Sequence, residues 1–206
     1  MSAFKHVIQN EAELRDILGY AGGAAQNKVL SEIDEISRAF IQNAPFVVIG
    51  TTGAGGSMDV SPKGDPAGFV QVMDSKTLLI PDRPGNRRGD TLSNIVQNPS
   101  IGLLFLVPGR KDTLRVNGTA EIVRDEDVRG RFVMQGKAPM FVIAVTVQEV
   151  FFHCTKCMVR SGLWSSQPAP DALVSFGEAI VKHAHLDMSI EEANEMVVED
   201  EETGLY

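Results

Sequence analysis

The chain has 206 residues, 43% apolar and 22% charged, which excludes a disordered, collagenous or coiled-coil protein. Its formal net charge is −8, but eight of the 27 acidic residues lie between Asp187 and Tyr206, where there is no Lys or Arg. The remaining 19 acidic residues equal the 19 Lys and Arg of positions 1–186. A balanced body with no broad basic face argues against a general nucleic-acid binder, whose affinity rests on many cations set against phosphates.

The longest apolar runs, Met140–Val145 and Leu103–Val107, fall far short of the ~20 residues that span a bilayer. The first residues contain no apolar signal core. A soluble, cytoplasmic chain without a membrane partner is the expectation. One or two hundred residues suffice for a single core, so the expected layout is an N-terminal arm with a short helix (1–26), a main domain (27–165) and a helical, acidic extension (166–206).

In chain order, Val29, Leu30, Ile33, Ile36 and Phe40 recur at three- and four-residue spacing, which predicts a helix over 27–42. Asn43-Ala44-Pro45 ends it, because a proline disfavours helix in the residue before it. Phe46–Ile49 reads as a short strand and Gly53-Ala54-Gly55-Gly56 as a turn. Phe69–Met73 and Thr77–Ile80 read as strands joined by the tight turn Asp74-Ser75-Lys76. Ile101–Val107 is apolar on both faces, as a central strand is.

Thr113–Val123 alternates with a period of two over eleven residues, the pattern of a half-buried strand. Met140–Phe152 predicts one more long strand. Short helices are expected at Asp90–Gln97 and Asp125–Val133, and one or two more within 171–198. Closely spaced strands with few intervening helices favour a mainly β, antiparallel barrel with peripheral helices over a parallel doubly wound sheet.

Motifs for chemistry are sparse. The glycine cluster at 53–56 breaks G-x-G-x-x-G spacing at Met58 and precedes no helix pattern, so a hairpin turn is the better reading. Cys154 and Cys157 have C-x-x-C spacing without a second pair, which reads as two free thiols and no metal. His6, His153, His183 and His185 form no constellation with a nucleophile, and no catalytic residue declares itself.

The densest signal is Pro81-Asp82-Arg83-Pro84-Gly85-Asn86-Arg87-Arg88-Gly89-Asp90. Arginine forks match phosphate oxygens, and a following helix start adds oriented N–H groups. Equally, these arginines could pair with Asp82 and Asp90 in an ordinary surface loop.

The segments Val60–Pro66, Gly68–Val70, Leu78–Asn86, Gly102–Gly109 and Leu114–Gly118, with His153–Lys156 and Arg160–Trp164, resemble the pyridoxamine 5′-phosphate oxidase-like FMN-binding split-barrel superfamily. Within it they look most like a bacterial subgroup described as flavin-nucleotide-binding proteins. The resemblance covers roughly positions 27–165. It implies a mainly β fold, a six-stranded antiparallel split β-barrel, and a homodimer with FMN at the subunit interface.

Carried over by motif, Arg83, Asn86, Arg87 and Arg88 would meet the phosphate, and Val70, Gln71, Ile80, Pro81 and Asp82 would lie beside the ring. Thr113, Arg115, Lys156, Arg160 and Trp164 would approach from the other subunit. Ser61 and Lys63 would stand at the rim. Gln71 stands where relatives often carry Arg. The similarity ends in Arg160-Ser161-Gly162-Leu163-Trp164, not in the arginine-rich substrate segment of true pyridoxamine phosphate oxidases. The implied activity is therefore FMN-dependent oxidation or reduction of a small molecule other than vitamin B6, with non-catalytic flavin-nucleotide binding, or a pocket filled by another group, as the alternatives.

Overall fold

The computed structural model of the chain describes residues 3–165 and 173–206. Eight helices and seven strands follow in the order α1 (Glu11–Leu18), α2 (Ala24–Asn27), α3 (Glu35–Gln42), β1 (Phe46–Thr52), β2 (Met58–Gly64), β3 (Gln71–Val72), β4 (Thr77–Asp82), α4 (Asp90–Gln97), β5 (Ser100–Leu106), β6 (Thr113–Val123), α5 (Glu126–Gly130), β7 (Phe141–His153), α6 (Lys156–Ser161), α7 (Phe176–Ala184) and α8 (Ile190–Thr203). No helix among the described residues is long and apolar enough to cross a membrane.

The expected helix over 27–42 is shorter than its apolar spacing suggests. The Asp34 side chain accepts from the Ser37 N–H and starts α3 there, as a short acceptor at an N-cap does. Upstream, Leu30 pairs with Val150 through two backbone hydrogen bonds, and the Ile33 N–H donates to Ser75. Those backbone groups are spent on β7 and on the turn before β4, and of the apolar residues in the pattern Ile36 is left 68% exposed while Ile33 and Phe40 are buried.

All seven strands form one antiparallel sheet in the order β2-β1-β5-β6-β7-β4-β3. The count is seven, not six, because Gln71–Val72 pairs briefly with β4. That pairing is all that remains of the strand expected over 69–73. Period two puts alternate residues inside: Val47 and Ile49 of β1, Leu103 and Phe105 of β5, Leu114 and Val116 of β6, and Val145 and Val147 of β7 belong to the main core with Leu78 and Ile80. The prolines of β2 and β4 fit the edge rule, since Pro62 sits on the outermost strand and Pro81 lies beyond the reach of β3.

β6 and β7 shift register between Asn117 and Gly118. A Cβ at Gly118 would collide with the carbonyl of Thr146, so only glycine allows the two backbones to approach this closely.

β2 opens the strand order and β4 comes sixth, yet Lys63 of β2 bonds Asp82 of β4 at 3.2 Å. The sheet must therefore curl until its two ends face each other without a backbone ladder, which is the split of a split β-barrel.

Candidate functional site

At that split lies an open cleft of about 1080 Å³, in the size class of a small-molecule or cofactor site. Its wall combines β2, the loop from Asp82 to Gly89, the start of α4, Arg124 just before α5 and Arg129 within it, the run from Lys137 to Phe141, and Tyr206. Along β2, Asp59, Ser61 and Lys63 share the half-buried face. Two of the three, Ser61 and Lys63, are the residues expected at the rim.

The loop expected to hold an anion is in the wall. Arg83, Pro84, Gly85, Asn86, Arg87 and Arg88 all border the cleft. Arg87 sits at φ 60°, a left-handed conformation costing a non-glycine residue roughly 1–2 kcal/mol. Such strain persists where the surroundings enforce it, often at a functional loop. The Arg88 N–H donates to Asn86 Oδ1 at 3.0 Å, closing the turn. Gly89 then begins α4 without a side-chain cap.

The arginines divide by partner. Arg83 Nε donates to Asp65 Oδ2 at 2.6 Å and its Nη1 to the carbonyl of Phe132 at 2.8 Å. Arg88 Nε donates to Asp90 Oδ2 at 2.7 Å. That bond and the Asp90 charge raise the affinity of the guanidinium for its proton. Arg87 makes no hydrogen bond or ion pair with the described residues. So Arg88 does pair with Asp90, as a plain surface loop would have it, whereas Asp82 pairs with Lys63 and not with an arginine.

Seven Lys and Arg border the cleft (Lys63, Arg83, Arg87, Arg88, Arg124, Arg129, Lys137) against three acids, Asp59, Asp82 and Asp90. An anion is therefore the favoured guest, although the body as a whole is charge-balanced. The wall also presents apolar surface from Val60, Leu92, Met140 and Phe141.

The remaining expected residues lie elsewhere. Val70 and Ile80 are fully buried in the core, and Pro81 is buried beside Val142. Gln71 Nε2 donates to the carbonyl of Arg131. Thr113 is buried at the start of β6, and Arg115 lies 5.0 Å over the Phe151 ring. Lys156 and Arg160 are exposed on α6, and Trp164 Nε1 donates to the carbonyl of Arg110 at 2.6 Å.

Arg115 and Arg124 are nine residues apart on β6 and its end, about 30 Å at strand rise. Neither Thr113 nor Arg115 borders the cleft in the same chain. Cys154 and Cys157 are exposed, and no cluster of His, Cys, Asp or Glu suited to a metal occurs among the described residues.

Several wall residues gave no sequence signal. Arg124, Arg129, Lys137 and Tyr206 are scattered through the chain and meet only in three dimensions, and Asp65 lies behind them, bonded to Arg83 and Tyr206. Tyr206 Oη donates to Asp65 Oδ1 at 2.7 Å, its ring lies 5.3 Å from the Arg83 guanidinium, and its carbonyl accepts from Lys137 Nζ at 2.6 Å.

Curled sheet, split and cationic loop together describe the split-barrel class, and comparison with known proteins agrees. The family described as Pyridoxamine 5′-phosphate oxidase matches residues 33–154. The chain belongs to the pyridoxamine 5′-phosphate oxidase family.

Among solved structures, the chain is similar to HupZ of Group A Streptococcus (23% identity, TM-score 0.49, covering 58% of this chain and 93% of that one). It is similar too to a Lactobacillus delbrueckii protein named for pyridoxamine 5′-phosphate oxidase (26%, 0.47, 59% and 95%). A third is an FMN-binding protein of Syntrophomonas wolfei (12%, 0.45, 57% and 83%). No curated protein sequence matches the chain.

Proposed function

We propose that this protein binds FMN in the cleft at the barrel split and serves as an FMN-dependent oxidoreductase for a small molecule. The single observation that carries the proposal is the cationic loop, Arg83 to Arg88, set into the wall of a cleft of cofactor size next to an uncapped helix start. A phosphomonoester with a charge of roughly −1.5 to −2 suits such a site. The donor set fits: Arg87 makes no hydrogen bond or ion pair with the described residues, Arg88 would exchange Asp90 for the phosphate, and the uncapped start of α4 borders the same cleft.

The chemistry such a group supplies is hydride acceptance from a reduced substrate or nicotinamide nucleotide, followed by transfer to oxygen or another acceptor. The chain's own residues bind and orient. Lys63 and Arg83 bring positive charge to the end of the cleft away from Arg88, where it would favour an anionic reduced ring. Val60, Met140 and Phe141 exclude water from the faces. No wall residue is assigned as a proton donor or acceptor.

Non-catalytic binding of a flavin nucleotide is the second reading. It draws on the fact that Lys63, Arg83 and Arg88 are all committed to carboxylates, which leaves little free acid or base.

A homodimer belongs to the same proposal. Phe46, Val48, Leu104 and Leu106 lie on the outer, incompletely buried face of β1 and β5, and Phe46 pairs with Leu106 and Val48 with Leu104. That apolar face suits a second copy. Thr113, Arg115, Lys156, Arg160 and Trp164, none of which borders the cleft in one chain, would come to it from the partner.

FMN added to the purified protein should give a visible spectrum distinct from free flavin; no binding sinks both readings. Anaerobic NADH or NADPH should bleach the bound flavin, and a flavin left oxidised by every donor tried favours simple binding. Sedimentation showing only a 22.3 kDa species with flavin bound overturns the dimer.

A further inference from the structure

The cleft has two ends. At one, Thr91 Oγ1 donates to Asp59 Oδ2 at 2.9 Å, close to Arg88, Gly89 and the start of α4. Lys63 lies about 13 Å further along β2, and the Asp65–Arg83 pair follows. Tyr206 closes that far end through its phenol on Asp65, its ring beside Arg83 and its carbonyl on Lys137. A segment that follows the acidic helix α8 is thus tied by three interactions into the wall of a cleft whose other components come from the barrel.

We infer that Tyr206 is a binding-site residue for the ring system of the flavin. Its phenol fixes the Asp65 carboxylate, which fixes Arg83, and with the Arg83 guanidinium over one face of its ring the other face supplies the wall opposite the phosphate end. The inference rests on the flavin reading above. Arg83, saturated at Nε and Nη1 by Asp65 and Phe132, then serves the ring end, and Arg87 and Arg88 serve the phosphate. Tyr206 does not fill the site, since the cleft retains about 1080 Å³ with the tyrosine in place. An aromatic wall suits a planar ring because stacking adds to area burial, and a tyrosine loses few rotamers in providing it.

The test titrates FMN and riboflavin, which lacks the phosphate, into the full chain and its variants. Tyr206→Ala should weaken both flavins by the same factor, about tenfold for a stacking loss near 1.4 kcal/mol. Arg88→Ala should weaken FMN and leave riboflavin unchanged. Tyr206→Phe keeps the ring but cannot donate an electron to excited flavin as a phenol does, so the bound flavin should fluoresce more strongly than in the unmodified protein.

Should Tyr206→Ala fail to fold, Tyr206→Phe decides by fluorescence alone, and an unchanged yield overturns the inference. Equal affinities of the unmodified protein and Tyr206→Ala for both flavins overturn it while leaving the flavin reading standing. If the unmodified protein binds neither flavin, the flavin reading fails and this inference falls with it.

Discussion

Arg83 and Asp65 form the tightest ion pair of the cleft wall, Nε to Oδ2 at 2.6 Å, with the Asp65 side chain only 2% exposed and that of Arg83 16%. The pair joins the segment just after β2 to the segment just after β4, across the seam where the sheet has no backbone ladder. Two charges taken this far out of water help only while both are present. Asp65→Ala should therefore destabilise the protein by about 3 kcal/mol and release Tyr206. Chemical denaturation followed by tryptophan fluorescence measures it, and a change under about 0.5 kcal/mol would show that the seam is not held by this pair.

Arg87 and Arg88 should separate binding from stability. The Arg88–Asp90 pair is largely exposed, and exposed pairs contribute little to folding. Arg88→Ala should leave the melting temperature unchanged while weakening FMN roughly tenfold to a hundredfold, the range of a lost charge-assisted contact. Arg87→Ala should behave in the same way. A dissociation constant unchanged in both variants would place the phosphate elsewhere.

Tyr206 should titrate late. Its hydrogen bond to Asp65 is the largest cause, followed by burial and the Asp65 charge, with Arg83 opposing. Together they hold the phenol above the ordinary tyrosine value of about 10. Because the folded-state value is raised, the stabilisation is fully present below the unfolded value and is lost as pH rises through the folded one. Ultraviolet difference titration of the unmodified protein against Tyr206→Phe isolates this group. Asp65→Asn should move the transition downward, and a Tyr206 transition at or below the free value contradicts the docking.

Gly118→Ala should be costly although it adds one methyl. The added carbon would meet the Thr146 carbonyl, which belongs to the β6–β7 ladder and cannot swing aside as a side chain can. Overpacking of this kind typically costs 1–3 kcal/mol. Gly55→Ala, with open space around the new carbon, is the control. Equal melting temperatures for the two variants would refute the close approach.

Much of the fold was legible because it is periodic. β6 runs from Thr113 to Val123, as its two-residue pattern predicts, since that pattern is set by one buried face, and α4 forms over the expected Asp90 to Gln97. The helix predicted over 27–42 forms only from Glu35 to Gln42, because Leu30 and Ile33 show helical spacing while their backbone groups bond to β7 and to Ser75, and spacing says nothing about distant acceptors.

At the site, the loop from Arg83 to Arg88 stood out because its cations are contiguous. Val70 and Ile80, which the resemblance sets beside the ring, turn their side chains into the core, and the face a strand residue presents depends on packing that a motif does not record.

The sequence by itself determined most of the strands (β2 excepted), where the positive charge is dense and that the net negative charge is confined to the last twenty residues, since all three depend on neighbours along the chain. Tertiary structure alone decided that Asp65 claims Arg83 and that Tyr206, 141 residues beyond Asp65, completes the same wall. Those partnerships arise from the curl of the sheet, and a curl set by the packing of seven strands is written in no local stretch of residues.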